Sequence, residues 1–147
     1  MALATKDIRV GYELPPLVLT ISPEKVNLFS NRTIPRGDPQ GKSIVNIHTS
    51  KEMAKSAGLP GIVIEGLQVC ASISKLMTNF FGEGWVRGGK LSVTFIKIIM
   101  PGDTITIKAV VKEKTPEDSA TRITLDVWCE NQEAEKTVVG MASGLVK

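Results

Sequence analysis

The 147-residue chain is 42% hydrophobic and 22% charged, the balance of an ordinary soluble globular protein and the size of one domain, residues 1–147. Its net charge of +3 comes from scattered lysines and arginines mixed with acids, which reads as a solvated surface and argues against nucleic acid as a partner. No run of about 18 apolar residues occurs and the first residues lack a signal-peptide core, so the expectation is a cytosolic protein with no membrane span.

In chain order, Pro15 and Pro16 precede an apolar run, Leu17 to Ile21, that predicts a first strand. Ser22, Pro23 and Glu24 form a helix-start signal, a capping hydroxyl followed by proline and an early acid. A short helix should pass through Val26 and Phe29. Asn31 to Lys42 holds two prolines and two glycines and predicts a long loop, of a kind that often serves function. His48 follows a small apolar stretch. Thr49 or Ser50 then caps a second short helix over Met53 and Ala54, stopped by Gly58 and Pro60.

Between Gly66 and Phe81 the only formal charge is Lys75, and apolar residues fall on nearly every side. Such a helix should be buried almost all round, so something must wrap it. The rest of the chain supplies the wrapper. Leu91, Val93 and Phe95 alternate with polar residues; so do Ile105 to Val111 and Ile123 to Cys129, and Thr137 to Val146 is also strand-like. Period-two alternation with turn signals such as Pro101-Gly102-Asp103 predicts an antiparallel meander. One long helix gripped by a curved antiparallel sheet, class α+β, is the simplest architecture.

Few residues offer chemistry. His48 is the only histidine, and its unperturbed pKa lies near neutrality, which suits a general base or acid. Gly61 and Gly66 flank the start of the long helix, whose first N–H groups could hold an oxyanion if a glycine lets the ligand approach. Glu65 either complements the helix dipole or is a buried carboxylate fit for acid–base work. Asp38 either shapes its Asp-Pro turn or folds back toward His48. Trp85 and Trp128 read as packing residues. Cys70 and Cys129 sit in apolar stretches as small hydrophobes, and neither has metal-ligand spacing.

The stretch from Asn46 to Ala54, with His48 inside it, then Gly58 to Gly66, resembles the hydratase motif of MaoC-like proteins, approximately D-x-N-P-x-H-x-D, a short helix, then P-x-x-H-G. Gly89 to Phe95, Pro101-Gly102-Asp103-Thr104 and Val139 to Ala142 resemble the strands and turn that follow. The resemblance implies a hot-dog fold, usually dimeric or an oligomer of dimers. It implies binding of acyl-CoA or acyl-carrier-protein thioesters without a cofactor, and a lyase reaction that hydrates 2-enoyl or dehydrates (3R)-hydroxyacyl groups. By position, His48 matches the catalytic histidine and Gly66 the oxyanion donor. The family's aspartate falls on Ser43 and its histidine before the helix glycine on Glu65, which leaves Asp38, Glu65 and Asn46 as candidate partners of His48. A thioesterase using Glu65 and a non-catalytic acyl-binding subunit are the alternatives.

Overall fold

The period-two alternation of the second half becomes three long antiparallel strands. The structure, a computed structural model, describes residues 4–33 and 45–147. In chain order its elements are β1 (Leu17–Thr20), α1 (Pro23–Thr33), α2 (Lys51–Ser56), α3 (Gly66–Phe81) and α4 (Glu83–Gly88), then β2 (Lys90–Phe95), β3 (Thr104–Glu117), β4 (Ala120–Glu130) and β5 (Lys136–Val146). The strands form one antiparallel sheet in the order β1-β3-β4-β5-β2.

The sheet curves around α3. Ile107, Val111, Ile123, Leu125, Val127 and Val138 point inward and are buried, and they meet Val69, Ile73, Met77, Phe80 and Phe81 of α3. Each such side chain contributes roughly 1.5–3 kcal/mol by leaving water. A bulge between Val111 and Glu113 bends β3, which helps the sheet close on the helix. Cys129 is part of this core. Neither cysteine is bridged, and burial pushes the Cys129 thiol up to about 12.

Three expectations need correction. The strands are not a simple meander: β3, β4 and β5 are, but β2 pairs with β5, with Leu91 opposite Ala142 and Val93 opposite Gly140. Residues 96–103 therefore carry the chain from one side of the sheet to the other. The Pro101-Gly102-Asp103 turn closes that crossing rather than a hairpin, with Asp103 accepting from the Met100 N–H at 2.8 Å. Second, α3 is not buried all round in the single chain, since Leu67, Ala71 and Lys75 lie on an exposed face. Third, α1 extends through Thr33, so Asn31 belongs to a helix and not to the long loop. Ser22 caps α1 as expected, its Oγ accepting from the Lys25 N–H at 3.3 Å.

The helix α4 was not foreseen. Gly84 lets it press onto β5, because a Cβ there would stand 1.8 Å from the Leu145 carbonyl oxygen. Trp85 packs on Phe81 with ring centroids 6.3 Å apart and donates its indole N–H to Ser74 Oγ at 2.7 Å. No described helix is long and apolar enough to cross a membrane.

Candidate active site at the start of the central helix

His48 lies in the tight turn that leads into α2, and Asn46 builds that turn. Asn46 Oδ1 accepts from the His48 backbone N–H at 2.8 Å, and the Asn46 carbonyl accepts from the Ser50 N–H at 2.9 Å. This is the side-chain mimic of a backbone turn that asparagine favours. Ser50, rather than Thr49, then caps α2 by accepting from the Met53 N–H. Asn46 thus orients the histidine through its backbone and not through its ring.

The ring is held from elsewhere. His48 Nδ1 lies 2.7 Å from the carbonyl oxygen of Val63. A carbonyl can only accept, so Nδ1 carries the hydrogen and Nε2 of the neutral ring keeps its lone pair. The Val63 carbonyl is itself fixed, because Ile64 next to it donates its N–H to the Ile99 carbonyl at 2.9 Å. A backbone carbonyl leaves no mark in a sequence, so this partner of His48 could not be foreseen.

Two residues after Val63, Glu65 stands at the N-cap of α3. It is 7% exposed and makes no side-chain hydrogen bond to the helix N–H groups. Gly66 is the first helical residue, where backbone N–H groups have no intrahelical acceptor. A Cβ on Gly66 would meet Phe95 Cζ at 3.0 Å and Cε2 at 3.2 Å. The ring of Phe95, from the end of β2, therefore covers one side of the helix start, a neighbour that strand alternation alone did not single out.

His48, Asn46, Glu65 and Gly66 line one open cleft of about 470 Å³, together with Ile47, Met53 and Leu67. A second, apolar cleft of about 330 Å³ meets it at Gly66, with Val63, Val69, Phe95 and Ile98 in its walls. Lys97 is the one charged residue there, and it pairs with Glu135 at 2.7 Å. Four of the five expected site residues thus come together. Asp38 lies outside the described residues, as does Ser43. Leu76, Met77 and Phe80 are core side chains, and Leu76 and Phe80 also line a hollow farther along α3. Trp85 packs on Phe81, whereas Trp128 lies on the outer face of the sheet, bonded to Glu130 and beneath Lys136. Among the described residues no group of His, Cys, Asp and Glu is placed to hold a metal ion.

The family model described as "MaoC like domain" matches residues 18–136. The chain belongs to the MaoC-like family. Its α+β architecture, one long helix wrapped by a five-stranded antiparallel sheet, is the hot-dog fold. The MaoC-like dehydratase from Rhodospirillum rubrum is 19% identical, with a TM-score of 0.75 over 96% of this chain and 94% of that one. The (R)-hydratase of A. caviae involved in PHA biosynthesis is 16% identical, with a TM-score of 0.71 over 97% of this chain and 100% of its own. The HadBC (3R)-hydroxyacyl-ACP dehydratase complex from Mycobacterium tuberculosis is 17% identical, with a TM-score of 0.69 over 97% and 99%. No curated protein is a match for the chain. Within this MaoC-like chain, the residues at the motif's histidine and glycine positions line the same cleft, and Glu65 lines it too.

Proposed function

We propose that this MaoC-like domain is a hydratase, acting reversibly on 2-enoyl or (3R)-hydroxyacyl thioesters of coenzyme A or a carrier protein. The observation that supports it most is the fixed histidine: His48 Nδ1 is held on the Val63 carbonyl, and the ring lines the cleft that Gly66 also lines. In hydration, Nε2 takes a proton from water as the water oxygen bonds to C3 of the enoyl group. The electron pair of the double bond moves toward the thioester carbonyl, whose oxygen gains charge beside the Gly66 N–H. The imidazolium then returns the proton to C2 as the enolate collapses. Proton transfer by a positioned histidine contributes about 10²–10⁴-fold, and donors aimed at the developing oxyanion a similar factor.

Glu65 supports a second reading. It is a carboxylate, 7% exposed, in the same cleft, and could activate water for thioester hydrolysis. Crotonyl-CoA separates the two. Loss of the enoyl absorbance, reduced about 10²-fold or more in His48→Ala, is the expected result. Thiol release that persists in His48→Ala and disappears in Glu65→Gln would replace the hydratase by a thioesterase. Acyl-CoA binding without turnover of either kind would make the chain a non-catalytic subunit.

The same reading includes a homodimer, with the chain acting as one domain. Leu67, Phe95, Ile96 and Ile98 are exposed apolar side chains around the start of α3 and the end of β2, and β2 is an edge strand. Apolar surface beside an unpaired strand edge suits a second copy of the chain.

A further inference from the structure

Three hollows follow one another along α3, and β1 helps to wall the second and third. The first is the apolar cleft of about 330 Å³ that opens at Gly66. The second holds only about 10 Å³, room for one water-sized group, between Leu19, Ile21, Gln68, Ser72 and Ile105. The third, about 230 Å³, lies between Leu14, Pro16, Leu17, Leu76, Asn79 and Phe80. The first two share the side chains of Ile64 and Val69. The second and third are one step apart on both walls, from Ser72 to Leu76 on α3 and from Leu19 to Leu17 on β1. Two roomy spaces are thus separated by one narrow place.

Gln68 stands at that narrow place. Its amide oxygen is buried and accepts no hydrogen bond. Ser72, one turn on, has committed its hydroxyl proton to the Gln68 backbone carbonyl at 2.9 Å. Gln68 and Ser72 are the polar residues lining a narrow space otherwise walled by Leu19, Ile21, Ile64, Val69, Ile105 and Ile107. An alkyl chain pushed through would need more width than is there. It would also seal an amide against hydrocarbon, where it has neither water nor a partner.

We propose that Gln68 sets the length of the acyl group: the chain enters the cleft beside Gly66 and stops at Gln68 and Ser72, so the substrates are short-chain acyl thioesters. This rests on the hydratase reading. The hollow beyond becomes accessible only when Gln68 is cut back.

The test measures kcat/KM of wild type, Gln68→Ala and Gln68→Ser with crotonyl-, 2-hexenoyl- and 2-dodecenoyl-CoA. Binding of butyryl-CoA and dodecanoyl-CoA is measured alongside by calorimetry. Wild type should prefer the two shorter substrates over dodecenoyl-CoA by about tenfold or more, and either variant should raise the ratio of dodecenoyl to crotonyl kcat/KM by a similar factor. Equal use of short and long chains by wild type overturns the proposal. So does an unchanged length preference in whichever variants fold. If wild type turns over no enoyl-CoA, the hydratase reading fails, and the length rule is read from binding: dodecanoyl-CoA bound as tightly as butyryl-CoA then overturns it too. Absence of any acyl-CoA binding overturns both.

Discussion

At the scale of single residues, the site rests on two positions whose surroundings differ in kind. His48 is held by backbone, through its own N–H to Asn46 and its ring to the Val63 carbonyl. Gly66 has little room beside it, because a side chain there would begin 3.0 Å from the Phe95 ring. Gly66→Ala should therefore have two separable effects. The close contact should lower stability by at most about 1 kcal/mol, since the half-exposed Phe95 ring need give by only a few tenths of an ångström, and the double variant with Phe95→Ala should recover most of it in a urea titration. Activity should fall about 10²-fold if the new methyl group keeps the thioester oxygen from the helix N–H, and the double variant should not restore it. Recovery of activity along with stability would mean that Gly66 serves packing alone. The sequence made His48, Glu65 and Gly66 visible because each is a chemically distinct type at a marked place. Val63 stayed invisible because its role belongs to its carbonyl, and Phe95 because a strand's alternation does not say which ring meets which helix.

At the scale of elements, periodic segments were readable and non-periodic ones were not. The apolar residues of α3 run through a 16-residue helix, the alternation of β3 and β4 runs from Ile105 to Val111 and from Ile123 to Cys129, and all three elements form where the pattern puts them. The six residues of α4 carry no such repeat, and glycine, at Gly82 and Gly84, weakens a helical pattern. Yet Gly84 is where α4 touches β5 most closely. Gly84→Ala should force the helix off the strand, since the obstacle is the backbone oxygen of Leu145 and not a movable side chain. The expected cost is about 2–4 kcal/mol, seen as a lower denaturation midpoint with little change in the slope. A change within about 0.5 kcal/mol, the usual size for a surface site, would show that α4 is not packed as described. The pairing of β2 with β5 was unreadable for another reason: a strand's pattern gives its inward face but not its neighbour, and the turn at Gly102 looked like a hairpin.

At the scale of the whole molecule, the exposed side of α3 and the free edge of β2 explain why the sequence expected more burial than one chain delivers. Leu67 and Ala71 lie on the outer face of α3, and in the proposed homodimer a second copy would complete its cover. Sedimentation at micromolar concentration should give a dimer. Ile98→Lys, which charges a half-exposed residue beside that edge, should shift it toward monomer; wild type remaining monomeric would remove the homodimer from the reading.

The crossing between β2 and β3 also fixes an order of assembly. Among the described residues β2 pairs with β5 alone, so Phe95 is docked over Gly66 only once β5 is in place. During synthesis the histidine turn, α2 and α3 emerge early, but the wall beside Gly66 is completed only after the β3–β4–β5 meander has closed. Such long-range pairing folds slowly, in about milliseconds to seconds. The emerging chain therefore holds His48 well before it holds the finished cleft beside Gly66.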